Sequence, residues 1–167
     1  MAEVIVRAVL THTGEERNGS IITYNAIHDA VQRGLFKGAP CYLGHGALDQ
    51  GHRAQGRFRL GRWHDIEFHH DTGHVIGYMH TRYWLPVFDR MGFSAVEFIH
   101  SPELLGRAVV PRIHQVYSVD LVHEPACPLS RPQQVTVLNP APPPPLIARR
   151  LWRIVNQQVF STGHILN

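Results

Sequence analysis

Residues 108–126 read Ala-Val-Val-Pro-Arg-Ile-His-Gln-Val-Tyr-Ser-Val-Asp-Leu-Val-His-Glu-Pro-Ala, and their reading decides the fold class. From Ala108 to Val122 the pattern is that of a long strand. Val116, Ser118 and Asp120 share one face, and Tyr117, Val119 and Leu121 share the other. His114 falls by the same count on the face of Ser118 and Asp120, and Pro125 closes the strand.

Upstream, Gly92-Phe93-Ser94-Ala95-Val96-Glu97-Phe98 is strand-like, followed by a turn at Ser101-Pro102. Gln55 to Leu60, Trp63 to His69 and Val75 to Tyr83 read as three further strands, with Asp71-Thr72-Gly73 as the hairpin signal between the last two. Leu85 to Arg90 suits a short helix with Pro86 in its first turn. Near the start, Glu3 to Leu10 is a Val- and Ile-rich strand. Asn25 to Gly34 switches to helical spacing, with Asn25 as N-cap and Gly34 as a left-handed stop. Pro40 to Leu43 is a short apolar run ending at Gly44-His45-Gly46, whose flanking glycines leave the ring on an open turn. The expectation is an α+β domain in which strands dominate.

Downstream, Val135 to Leu138 adds a last short strand, and Pro140 to Pro145 is a stiff polyproline-type spacer. Leu146 to Phe160 is helical in pattern. The expected organisation is therefore a domain over 1–138, a linker over 139–145 and a C-terminal helical tail over 146–167. That tail would dock on the domain, on a twin subunit or on a partner.

Composition bounds the function. The chain has 167 residues, of which 13 are His, and its formal net charge is +3. This mild, dispersed charge does not call for a nucleic-acid partner, and Arg in place of Lys throughout, except at Lys37, is read as genome composition. Two cysteines, Cys41 and Cys127, make no disulfide framework, and no run of about 18 apolar residues suggests a membrane span. The reading is a protein made and used inside a cell.

Three chemistries compete. His64, His69, His70, Asp71, His74 and His80 crowd one hairpin and are donors for zinc-like metals, but His69 and His70 point to opposite faces, and the expectation is no metal and no cofactor. Cys41 precedes His45 by four residues, roughly 13 Å in an extended chain, too far for a thiolate and its base. Ser94, His45 and Asp120 supply the hydroxyl, imidazole and orienting group that acyl transfer requires. Against this stands the plainer reading of a strand serine and a strand-end carboxylate bonded to nearby backbone.

The ordered set of Gly44-His45-Gly46, Gly56-Arg57, Gly61-Arg62, Gly73-His74-Val75-Ile76-Gly77, Gly92-Phe93-Ser94 and Ser118-Val119-Asp120-Leu121-Val122-His123-Glu124-Pro125-Ala126 resembles the prohead (head maturation) proteases of tailed bacteriophages. Those are relatives of the herpesvirus assemblin proteases. The similarity covers roughly residues 3 to 138. It implies a β-barrel-like core wrapped by helices and a serine endopeptidase with His45 as base and Ser94 as nucleophile. The third member is Asp120 if the phage pattern holds, or His114 or His123 if the assemblin pattern does, and Ser101 is the alternative nucleophile. Oxyanion donors would come from backbone near Arg107, with Arg107 or Arg112 as side-chain helpers. The resemblance further implies scaffold and major capsid proteins as substrates, self-cleavage, a homo-oligomer, and a location in the host cytoplasm inside the assembling prohead.

Overall fold

The computed structural model describes residues 3–44, 58–83, 85, 88, 91–100, 103–104, 107–139 and 145–148, with the backbone alone at 96–100, 103–104 and 107. The first strand, β1 (Glu3–His12), carries Val4, Val6, Ala8 and Leu10 at period two, and all four are fully buried. Two short strands follow, β2 (Gly14–Glu15) and β3 (Ile21–Ile22), and then α1 (Tyr24–Gln32). The helix begins one residue before the expected cap. Thr23 is extended at φ −77°, ψ 152°, and its Oγ1 accepts from the Ala26 N–H at 3.1 Å. Gly34, at φ +70°, ends it as the sequence suggested.

Beyond α1 come β4 (Pro40–Tyr42), β5 (Arg59–His69) and β6 (His74–Thr81). Of the strand expected over Gln55 to Leu60, residues 55–57 lie outside the described residues, and Arg59 and Leu60 run on into the strand expected from Trp63 to His69 as one element, β5, irregular where Asp65 takes φ +48°. The expected hairpin turn before β6 is present, with Gly73 at φ +67°. Of the helix expected over Leu85 to Arg90, Leu85 and Phe88 are described; both are buried and joined by a Phe88 N–H to Leu85 C=O bond of 3.1 Å.

The second half contains β7 (Gly92–His100), β8 (Glu103–Leu104), β9 (Arg107–Val110), β10 (Arg112–Val122) and β11 (Pro132–Asn139). The single strand expected from Ala108 to Val122 is thus two. Pro111 has no N–H to give a ladder, and the chain changes partner there: β9 pairs with β3 and β8, and β10 with β7.

Five strands form one antiparallel sheet in the order β11-β1-β6-β5-β4. β10 and β7 form a second, and β2-β3-β9-β8 a third. The expected barrel is not closed among the described residues. The large sheet meets β10 through one bridge, Leu43 to Leu121, instead of a continuous ladder. Nor do helices wrap the core there: α1 packs on β10 and β5, and 145–148 form one helical turn. Ile147 of that turn is buried in the common core; the rest of the expected linker and tail, 140–144 and 149–167, lies outside the described residues.

Trp63 ties the two main sheets together. It is fully buried, its Nε1–H donates to the Val119 carbonyl at 3.0 Å, and it meets Phe93 edge to face at 4.8 Å between centroids. Gly92 lets the loop after β10 close against β7. A Cβ there would lie 2.4 Å from the Ser130 carbonyl oxygen and 2.5 Å from Pro125 Cγ, while Phe93 N–H bonds that same Ser130 carbonyl at 2.8 Å.

Candidate functional site: a serine–aspartate pair across two strands

Ser94 and Asp120 are direct partners in the β7–β10 ladder. Residues opposite one another on antiparallel strands share a face, with Cβ atoms about 4.5–5.5 Å apart, so hydroxyl and carboxylate leave the sheet side by side. The same register sets Phe93 against Leu121 and Ala95 against Val119 on the other face, which is the core face. Two bulges, between Ile113 and Gln115 and between Val116 and Ser118, change the expected alternation. Val116 joins Val119 and Leu121 instead of Ser118 and Asp120.

Asp120 is fully buried, and each of its oxygens accepts from a donor. Its Oδ1 accepts from the Tyr42 N–H at 3.1 Å and its Oδ2 from the Ser118 hydroxyl at 3.1 Å. A carboxylate removed from water needs such donors, and here they come from β4 and from its own strand. Ser94 is 7% exposed. Gly44, the residue before His45, gives its N–H to the Leu121 carbonyl at 2.8 Å. The strand that carries Asp120 is therefore where the chain stands as it reaches the Gly-His turn.

His45 and Ser101 lie outside the described residues. Arg107 begins β9, and its side chain is likewise outside them. Arg112 is at the far end of β10, opposite His100, six positions along β7 and so roughly 20 Å from the Asp120 level, with its Nε 3.8 Å from Asp29 Oδ2. It does not reach the Ser94–Asp120 pair. His114 sits exposed at the first bulge, and His123 is exposed just past the end of β10. Of the proposed third members, only Asp120 stands opposite Ser94.

Tyr42 was not legible as a partner of Asp120, because the contact uses its backbone N–H and leaves no mark on residue type. Ser118 carried a signal, a hydroxyl two residues before the carboxylate on the same strand face.

The histidines of the hairpin are engaged one by one. His64 bonds Asp65 at 2.8 Å, His69 bonds Glu67 at 3.2 Å, His70 bonds the Tyr24 hydroxyl at 2.6 Å and His80 bonds Glu3. Among the described residues no three His, Cys, Asp or Glu side chains converge to hold a metal ion. A cavity of about 580 Å³ opens beside the ends of β5 and β6, bordered by Glu3, Arg59, His80, Arg82 and Tyr83; neither Ser94 nor Asp120 lines it. Among the described residues no helix is long and apolar enough to cross a membrane. Cys41 and Cys127 are both buried, and Cys127 gives its thiol hydrogen to Glu16 at 3.2 Å. Comparison with protein-family models, with curated proteins and with solved structures finds no match to this chain.

Proposed function

We propose that this chain is a serine endopeptidase of the prohead-maturation kind, with the assemblin-like strand core that this class implies. The observation that carries the reading is the pairing of Ser94 with Asp120 on adjacent strands, beside the point where Gly44 leads into His45. In this reading His45 takes the Ser94 proton as Oγ attacks the scissile carbonyl, and returns it to the leaving amine. Asp120, fixed by Tyr42 and Ser118, holds the imidazolium. Scaffold and capsid proteins are the substrates, cut inside the assembling shell in the host cytoplasm, and the C-terminal segment is a candidate for self-removal.

The test is incubation of purified protein with scaffold or capsid substrate, beside Ser94→Ala. Cleavage by the parent and none by the variant supports the proposal; equal cleavage by both removes Ser94.

One observation favours a second reading, an inactive assembly protein of the same fold. Ser94 is nearly closed off from solvent, and both Asp120 oxygens already have donors. Unchanged intact mass on storage, together with no labelling by a serine-directed phosphonate, would select this reading.

A further inference from the structure

Three histidines stand in one row across three neighbouring strands. His12 of β1 is opposite His74 of β6, and His74 is opposite His69 of β5, so all three share a face at the end of the large sheet. The His12 and His74 ring centroids are 6.1 Å apart.

The His12 ring has a defined tautomer. Its Nδ1 lies 2.8 Å from the Thr13 carbonyl oxygen, a contact that requires Nδ1–H. The lone pair is therefore on Nε2, which is buried and has no hydrogen-bond partner among the described residues. A proton added there becomes a buried donor with no acceptor among the described residues, facing the His74 ring on the next strand.

Of the carboxylates around the row, Glu67 offsets charge on His69 alone, and Asp71 of the turn is exposed. From β5, Glu67 bonds His69; from the loop after β10, Cys127 lies next to His12, and Glu16 beyond β2 bonds the Cys127 thiol. Among the described residues no carboxylate bonds His12 or His74. His74 is held below its ordinary value of 6.5, first by burial and then by His12 and His69.

We propose that the His12–His74–His69 row is a proton-operated clasp: neutral, it lets β1, β6 and β5 close around the 70–73 turn, and protonated, it opens that end of the sheet while the core stays folded. The proton comes from solvent and goes to His12 Nε2 and to the His74 ring. The like charges and the unmet donor are relieved only when the rings reach water.

Two amides report on the clasp: Thr13 N–H, bonded to Gly73 C=O at 3.0 Å, and Gly73 N–H, bonded to His69 C=O at 2.8 Å. Hydrogen exchange, corrected for the intrinsic effect of pH, is measured for wild type and His74→Asn at about pH 8 and about pH 5.5. The expected result is roughly tenfold or greater loss of protection at these amides in wild type at the lower pH, with the core amides of β1 and β10 unchanged. His74→Asn should reduce the loss severalfold. An equal loss in the variant, or one spread evenly over the core, overturns the proposal. Imidazole NMR supplies a readout free of mutation: the neutral His12 ring must be the Nδ1–H tautomer, and the other tautomer likewise overturns the proposal.

Discussion

Asp120 faces Ser94 from the neighbouring strand, and its two oxygens are held by Tyr42 N–H and the Ser118 hydroxyl. Asp120→Asn keeps an acceptor for Tyr42 and can donate to Ser118, so the fold should survive. If Asp120 orients His45, peptidase turnover falls roughly 10³–10⁴-fold, the scale set by removing such a carboxylate. Wild-type turnover in a folded Asp120→Asn protein would remove Asp120 from the mechanism.

Ser118→Ala leaves one Asp120 oxygen without its hydroxyl donor. A lost hydrogen bond to a buried charged group costs about 1.5–3 kcal/mol, so denaturant unfolding should shift to a lower midpoint at unchanged slope.

Gly92→Ala places a methyl group within 2.4 Å of a backbone oxygen. The neighbour is main chain and cannot rotate aside, so a loss of about 1–3 kcal/mol is expected, as for overpacking elsewhere. The loop carrying Pro125 and Ser130 would have to move off β7, and Phe93 N–H would lose its acceptor. A melting temperature equal to wild type would contradict the close approach.

Cys127 gives a pH-dependent prediction. Burial, and then the Glu16 charge, push its thiol up to about 12 from an ordinary value of 9.0. Because the folded value is raised, the associated stability is complete below 9.0 and is lost as pH rises from 9.0 through about 12. Maleimide labelling of Cys127 at about pH 8 should be far slower in the native protein than in the unfolded chain, since the thiolate is the reacting form and the folded thiol is buried and held protonated. Rapid labelling of the native protein would show Cys127 to be accessible.

Trp63→Phe removes the Nε1–H donor to Val119 and leaves the Phe93 contact with a smaller ring. The unpaired carbonyl and the lost volume should cost about 2–4 kcal/mol together. Thermal unfolding measures this. A change under 1 kcal/mol, on the order of a surface substitution, would mean that the two sheets do not depend on this residue.

Periodicity made much of the chain legible. β1, α1 and the β5–β6 hairpin follow from local pattern, and Gly34 and Gly73 sit where positive φ was required. The helix start was misplaced by two residues because Thr23 and Asn25 both belong to the capping set, and only geometry shows that Thr23 does the bonding. The β10 bulges were not legible. An extra residue on one strand is defined by a partner far away in sequence, so Val116 changed face without any local signal. The same reason hid the Ser94–Asp120 pair, since each residue was a candidate alone and their opposition depends on the β7–β10 register. Pro111 divides β9 from β10 although apolar alternation continues on both sides of it, so local pattern alone joins the two strands. Closure into a barrel came from resemblance, and the ladder between β4 and β10 that it needs is reduced to Leu43 and Leu121.

The place of β1 bears on how the chain is made. β1 lies between β6 and β11, and Glu3 pairs with Asn139, so β1 leaves the ribosome long before its outer neighbour β11 and gains it only after β11 has emerged. Until then a Val-rich strand has an open edge, which invites pairing with another nascent chain. Ordering so long a loop before its contacts form is slow, and β folds of such connectivity reach the native state in milliseconds to seconds, not microseconds. Truncation ahead of Pro132 should therefore cost yield through aggregation before it costs anything at Ser94.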